Sequence, residues 1–362
     1  RATLSLALTL ALTQNLTLTL TPEVEELLLH IAKVELPEGV RVEYPVCTDE
    51  GYFYRSKLTP HYNPPRAKVG EEGEDGRVRV LGAIGFQKRG SRSLVDVPEC
   101  PIATKGINEA LPEIRANAES DAYEKFLGDA KVKGATLLLR DTPKHGVVTD
   151  HSRIVSETVR GVTLKFRAGD FFQNNPFVLP LMIEHVIAEA RKPLPSGAAP
   201  EFFLDAYCGG GLFALQAAKD FKIVIGVDIS PGSIQSAQLN AELNGLDNAY
   251  FTEADSTEIF KQVRGADEHI ENDFHPSRSI VVIDPPRKGC DEAFLDQLIA
   301  YGPARVVYVS CDASTQARDA KYLLAKAPYA ISRVMPVDLF PQTRHIESVI
   351  TFDRVEAEGF GL

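Results

Sequence analysis

Apolar and polar positions follow two different rhythms along this chain. From Leu4 to Leu20, leucine stands at 4, 6, 8, 10, 12, 16, 18 and 20, with mainly Thr, Ala or Ser between. A period of two gives a strand one apolar face, and Gln14-Asn15 suits a turn between two such strands. The repeated threonines interrupt the apolar stretch that a secretory signal needs. From Glu109 to Lys133 the spacing predicts a helix with Leu111, Ile114, Tyr123, Phe126 and Leu127 on one face. Strands are expected at Ala135 to Leu139, Val147-Val148 and Ile154 to Phe166, with turns at Thr142-Pro143 and Gly161. Glu71 to Asp75 reads as an exposed loop.

The second half alternates regularly. Helices are expected at Phe177 to Arg191, Leu212 to Lys219, Ser233 to Asn244, Ala293 to Ala300 and Thr315 to Ala325. Between and after them lie short apolar strands at Phe202 to Asp205, Ile223 to Val227, Tyr250-Phe251, Ile280 to Ile283, Arg305 to Val309 and Ser348 to Phe352. Strands alternating with helices at this spacing predict an α/β fold, a parallel sheet with helices on both faces.

Composition narrows the classes. The 362 residues, 44% of them hydrophobic, suffice for two domains with a sizeable core. No uncharged apolar run is long enough for a transmembrane helix, so a membrane partner is not expected. Starting at Arg1 rather than Met is expected of a piece of a longer protein. The cysteines Cys47, Cys100, Cys208, Cys290 and Cys311 are scattered and odd in number, with neither a disulfide framework nor metal-ligand spacing. A reduced, intracellular protein is the expectation, its compartment open.

The formal net charge of −11 argues against a polycation that coats nucleic acid. Its distribution changes the picture. Residues 1–164 hold 21 Lys+Arg against 23 Asp+Glu, and the remainder 18 against 27. Two acid-free segments in the first part, Gly51 to Gly70 and Gly76 to Val95, contain Arg55, Lys57, Arg66, Lys68, Arg77, Arg79, Lys88, Arg89 and Arg92, interleaved with aromatic residues. Cations for phosphates beside aromatic faces for bases suit a structured RNA, although solvated strands with ordinary surface charge would read the same way.

Candidate chemistry sits at the strand ends. The first strand of the second half runs into Asp205-Ala206-Tyr207-Cys208-Gly209-Gly210-Gly211, where glycines let backbone approach a ligand closely. Asp228, after the next strand, can take both hydroxyls of an adenosine ribose. A nicotinamide dinucleotide would fit these two features as well. The loop lacks GxGxxG spacing, however, and Asp205 suits the cationic amino acid part of S-adenosylmethionine better than a pyrophosphate.

Farther on, Asp284-Pro285-Pro286 holds an acid at the cleft mouth. Methyltransferases acting on exocyclic amino groups carry an aromatic residue after such a motif; here Arg287 follows, which points to other chemistry. Cys311 lies just past an apolar strand on the same carboxyl edge. A thiolate can add to carbon 6 of a pyrimidine, making carbon 5 nucleophilic, and Glu347 is the candidate to remove the carbon 5 proton afterwards. Taken singly, such a cysteine is more often a buried apolar residue, Glu347 a surface charge and His345 a hydrogen-bonded structural residue.

The ordered motifs FFQNNP (171–176), LDAYCGGG, GVDIS, DPPRKG, YVSCDASTQARD and FPQTRHIE resemble those of the RNA (uracil-5-)-methyltransferases. The likeness covers about 165–353 and extends more faintly to GYFYRSK and IGFQKRGSRSLVDVPECPI. It implies a Rossmann-like S-adenosylmethionine-dependent catalytic domain over 165–362, behind an α+β, RNA-binding region over 1–164. It implies Cys311 as nucleophile, Glu347 as proton acceptor, and cofactor contacts from Gln173, Tyr207, Asp228 and Asp284. Arg55, Lys57, Lys88 and Arg89 are the candidate RNA-binding residues.

Three departures bear on the branch. Leu212 replaces a common asparagine, Asp228 is shorter than the usual glutamate, and no cysteine cluster for an iron–sulfur centre is present. The family's small N-terminal β-barrel is not recognisable. Lack of the cluster favours the tRNA branch, acting on the T-loop uridine at position 54, and the insertion Glu253 to Arg278 is similar to the eukaryotic, fungal type. The same reaction on rRNA, and a tRNA-binding or folding module with incidental activity, remain alternatives. A monomer is expected.

Overall fold

The computed structural model describes residues 20–34, 36–63, 71–72, 78–79, 81–127, 133–254, 260 and 274–355. The leucine alternation through residue 19 lies outside them, as do Arg66, Lys68, Arg77 and most of the 253–278 insertion. Leu20 itself opens a helical segment over 20–31, π-helical from Glu26–Ile31. The described residues divide into two compact units. The smaller spans 50–157 and 166–176; the larger takes 158–165, 177–362 and the residues before 50. A single cut at 164/165 does not reproduce this division.

In the smaller unit the strands are β1 (Lys57–Leu58), β2 (His61–Tyr62), β3 (Glu71–Glu72), β4 (Val78–Arg79), β5 (Gly85–Gln87) and β6 (Leu94–Asp96). Helix α1 (Lys105–Leu127) follows, then β7 (Ala135–Thr136), β8 (Leu139–Thr142) and β9 (Gly146–Val148). Two small sheets, β1-β8-β9 and β6-β5-β2-β7, accompany the antiparallel pair β3–β4. Glu71 and Glu72, expected in a loop, are therefore strand residues. α1 starts four residues before the apolar pattern suggests, because Thr104 Oγ1 accepts from Ile107 N and caps it. Its Ile107 and Leu111 pack against Leu58, Cys100, Ala103 and Leu139.

Hairpin β10 (Ile154–Val159) and β11 (Val162–Arg167) turns at Gly161 as expected. In the larger unit come α2 (Leu179–Arg191), β12 (Phe202–Ala206), α3 (Leu212–Ala217), β13 (Ile223–Asp228), α4 (Pro231–Asn244) and β14 (Ala249–Glu253). β15 (Ser279–Ile283), α5 (Glu292–Tyr301), β16 (Arg305–Ser310), α6 (Ala313–Lys326), β17 (Tyr329–Val337) and β18 (Glu347–Arg354) complete it. The sheet order is β14-β13-β12-β15-β16-β18-β17.

The first five neighbours are parallel, but β18 pairs antiparallel with both β16 and β17, so the sheet is mixed rather than wholly parallel. The strand direction reverses because β17 and β18 form a hairpin, whose short loop cannot make a parallel crossover. β12 and β15, neighbours in the sheet, flank the point where strand order reverses, the place at which sheets of this kind bind ligands. Strands β12, β15 and β16 are buried at every residue, the pattern of a sheet covered on both faces. Among the described residues no helix is long and apolar enough to cross a membrane.

Candidate active site

β12 buries Asp205 in its last turn before the glycine loop. Asp205 Oδ2 accepts from Ala214 N at 2.9 Å, which ties the strand end to α3. Its other oxygen, Oδ1, is buried and has no hydrogen-bond partner. Burial, and then the Asp284 and Asp228 carboxylates, push the Asp205 pKa well above the usual range. Tyr207 follows with φ 68°, a left-handed backbone that a bulky residue holds only under constraint. A Cβ added to Gly209 or Gly210 would meet nothing within 4 Å, so these glycines leave an open face. Gly211 differs: its Cβ would press on Leu215 and Ala237, and helix packing requires the small residue.

Asp228 closes the other side. Its Oδ2 accepts from Gly209 N at 3.0 Å and its Oδ1 from Ser230 N at 2.8 Å. Ser230 in turn caps α4 by accepting from Ser233 N.

Asp284 follows β15 and is half-buried; burial raises its pKa to about 7. Cys311 follows β16, half-buried, its thiol pushed up to about 11 by burial and by the Glu347 and Asp284 carboxylates, with Arg287 acting the other way. Glu347 is the first residue of β18 and is buried. Burial and then Asp284 push its carboxyl well above the normal range, again opposed by Arg287. The two residues meet because Ser310 pairs with Ser348 across β16 and β18, which puts their neighbours at one sheet edge. His345 Nδ1 lies 3.4 Å from Arg287 Nη2, joining the loop before β18 to the loop after β15.

Four carboxylates thus share this edge, and three of them are pushed toward protonation. A cationic ligand would draw these crowded carboxyls back to their charged forms and give the unpartnered Asp205 oxygen an opposite charge to face. S-adenosylmethionine, a sulfonium with an ammonium group, fits these residues.

A second set of residues was not foreseen from the sequence. Asp319 on α6 accepts from Tyr308 Oη at 2.7 Å and from Cys290 N at 2.8 Å, while Arg318 donates to Asp319 and to the carbonyls of Lys288 and Cys290. Thr315 Oγ1 donates to Arg287 O. The DPPRKG turn is therefore fastened to the helix that Cys311 precedes. The signal was present in the tail of YVSCDASTQARD, but no chemistry attaches to those side chains in isolation.

The remaining candidates lie in the smaller unit. Gln173 is half-buried in the segment after β11. Lys57 does not present a free cation: its Nζ donates to the carbonyls of Gly169 at 2.7 Å and Asp170 at 2.9 Å. Burial, and then the Arg140 charge, lower its pKa to about 8. Arg140, buried against the Phe166 ring, donates to Ala168 O and Asp170 O. Arg55 Nε donates to Lys57 O. Lys88 and Arg89 are exposed at the turn between β5 and β6.

Comparison with known proteins accords with this geometry. The family described as tRNA (Uracil-5-)-methyltransferase matches residues 141–355, more than half of the chain. The chain belongs to this family. A relative from Schizosaccharomyces pombe, named tRNA (uracil(54)-C(5))-methyltransferase, is 40% identical over 313 residues, covering 84% of this chain and 55% of the relative. Its namesake from Saccharomyces cerevisiae is 32% identical over 361 residues, covering 84% and 53%. The chain spans about half the length of the curated relatives it matches. Among solved structures, the Pyrococcus abyssi tRNA (uracil-54, C5)-methyltransferase in complex with S-adenosyl-L-homocysteine superposes with a TM-score of 0.63. At 22% identity over 93% of this chain and 83% of that one, it shows the shared fold. A Rossmann-like architecture is thus the architecture of the larger unit.

Proposed function

We propose that this chain methylates carbon 5 of a uridine in tRNA, the T-loop uridine at position 54, drawing the methyl group from S-adenosylmethionine. The observation that carries the reading is the Ser310–Ser348 pair, which sets Cys311 and Glu347 side by side at the sheet edge that also holds the glycine loop and Asp228. The names of the fungal relatives support tRNA and uridine 54.

Asp228, Tyr207 and Asp284 would hold the cofactor, Asp228 by accepting from its ribose hydroxyls. When bound, S-adenosylmethionine supplies a methyl group on a cationic sulfur. The target uridine, folded within a loop, is flipped out of its stack to reach the site. Cys311, as thiolate, forms a bond to carbon 6, and the electrons of the 5,6 double bond make carbon 5 nucleophilic. Once carbon 5 carries the methyl group, Glu347 takes its proton. The electron pair left at carbon 5 restores the double bond, the carbon 6–sulfur bond breaks, and the Cys311 thiolate returns. Arg287 offsets the surrounding carboxylates and favours the charged forms of Cys311 and Glu347. In the smaller unit, Lys88 and Arg89 contact RNA phosphates.

The test is incubation of the chain with labelled S-adenosylmethionine and, separately, unmodified tRNA and rRNA, followed by mass spectrometry of the nucleosides. Labelled 5-methyluridine from tRNA alone is expected. Its appearance only from rRNA would overturn the tRNA assignment, and its absence from both would overturn the activity.

A further inference from the structure

The side chain of Gln316 occupies an unusual place, where the β16–β18 ladder ends. Ser310 and Ser348 form its last pair. Beyond them one chain turns away through Cys311 into α6, while Glu347 stays paired with Val337 of β17. The opening of this fork is bridged by a single amide. Gln316 Nε2 donates to Tyr308 O at 2.8 Å and to Ser348 O at 3.1 Å. The residue is 1% exposed, so both bonds are shielded from water.

An apolar side chain of similar size would fill this space without the cost of burying an amide. What the amide adds is directional: fully bonded buried polar groups fix one arrangement of the segments they join. Here the segments are the helix that begins after Cys311, the strand that leads to Cys311, and the residue next to Glu347. Cys311 has supports of its own. Asp312 N donates to Ser310 Oγ at 3.1 Å, and Asp312 Oδ1 caps α6 by accepting from Ser314 N and Thr315 N. The neighbour of Glu347, by contrast, is tied to α6 through Gln316.

We propose that Gln316 is a positioning residue for the elimination step, holding Glu347 in register with the carbon 6 thioether that Cys311 forms. This rests on the reading that Cys311 adds to the base and Glu347 takes the carbon 5 proton. Addition needs Cys311 alone in place. Elimination needs both residues in place at once: the proton passes to the Glu347 carboxylate, the carbon–hydrogen electron pair becomes the 5,6 double bond, and the carbon 6–sulfur bond breaks to return the thiolate.

Gln316→Met keeps length and volume and removes both donors; Gln316→Asn keeps an amide that is one methylene shorter. Each is assayed with tRNA and S-adenosylmethionine, reading the covalent protein–RNA adduct on a denaturing gel, single-turnover methyl transfer and the melting temperature. In Gln316→Met the steady-state adduct rises about tenfold while single-turnover transfer falls less than about threefold, as a misplaced base predicts. An adduct fraction equal to that of the wild type, or addition and elimination lost together with a lowered melting temperature, overturns the proposal. If Gln316→Met does not fold, Gln316→Asn is judged by the same two criteria. Glu347→Gln, run in parallel, separates the levels. If it traps no adduct the underlying reading fails; if it traps one and the Gln316 variants do not, only the positioning role fails.

Discussion

Gly209 donates its backbone N–H to Asp228 Oδ2 at 3.0 Å, so the glycine loop after β12 and the acid that ends β13 form one lip. Asp228 Oδ1 is already used by Ser230 N. A carboxylate offers about four acceptor positions, so each oxygen keeps one for a ribose hydroxyl. Asp228→Asn replaces one acceptor by a donor and removes the charge. Affinity for S-adenosylmethionine, measured by titration calorimetry, is expected to fall about 10- to 100-fold, the worth of a hydrogen bond to a charged group. Unchanged affinity would place the ribose elsewhere.

Cys311 and Glu347 act at different stages, and their variants are distinguishable. Cys311→Ala is expected to abolish methyl transfer, because nothing else activates carbon 5. Glu347→Gln keeps the nucleophile and loses the base, so a covalent protein–RNA adduct accumulates and resists denaturing gel electrophoresis. Turnover by Cys311→Ala at the wild-type rate would sink the covalent mechanism.

The Cys311 thiol, pushed up to about 11 by burial with Glu347 and Asp284 adding and Arg287 opposing, is mostly protonated at neutral pH. The thiolate is the reactive form, so adduct formation climbs with pH between 7 and 9, about tenfold per unit. Asp284→Asn removes a charge that raises the thiol and moves this climb to lower pH. Arg287→Gln removes the charge that lowers it and moves the climb to higher pH. Displacement of both variants in the same direction would contradict this electrostatic account.

Asp284 links the site to stability. Its pKa rises from 3.8 to about 7 through burial, so the fold favours the protonated acid. That contribution is fully present below the unfolded value and is lost as pH rises through 7. Asp284→Asn, neutral throughout, should therefore melt higher than the wild type at pH 8, by about 1–2 kcal/mol after allowance for partial exposure, with the gain shrinking toward pH 4. Calorimetric melts at the two pH values check it.

The strands and helices around the site were legible because each apolar run ends at a residue with its own chemistry, as Ala206 leads to Tyr207 and Ser310 to Cys311. β17 was not legible. Its sequence, Tyr329–Val337, contains Ser332, Arg333 and Pro336, which break the apolar run. Arg333 is accommodated because Glu43 and Glu189 take its charge, and these are distant in sequence. The same distance hid the membership of the segment before 50, whose Val42 and Val46 bridge to Val334 and Val337 of β17. The surroundings of Lys57 were hidden for a related reason: a cation among aromatics looks the same whether it faces phosphate or carbonyl oxygen.

That distinction divides the basic residues of the smaller unit into two groups with opposite signatures. Lys57 spends its ammonium on Gly169 O and Asp170 O, beside the buried Arg140 that holds Ala168 O and Asp170 O. Together they fasten the segment that leads to Gln173. Lys57→Met should loosen that segment, costing about 1–3 kcal/mol for hydrogen bonds made by a charged donor. Faster amide hydrogen exchange over 166–176 is the readout. Any loss of RNA affinity would then accompany a loss of structure, with the salt dependence of binding unchanged. Lys88 and Arg89 are exposed at the β5–β6 turn, so reversing both charges should leave the melting temperature alone. RNA binding should weaken, and the slope of log affinity against log salt should flatten by about 1.5, close to two phosphate contacts. An unchanged slope in that double variant, or a flattened slope in Lys57→Met without faster exchange, would reverse the assignment of the two groups.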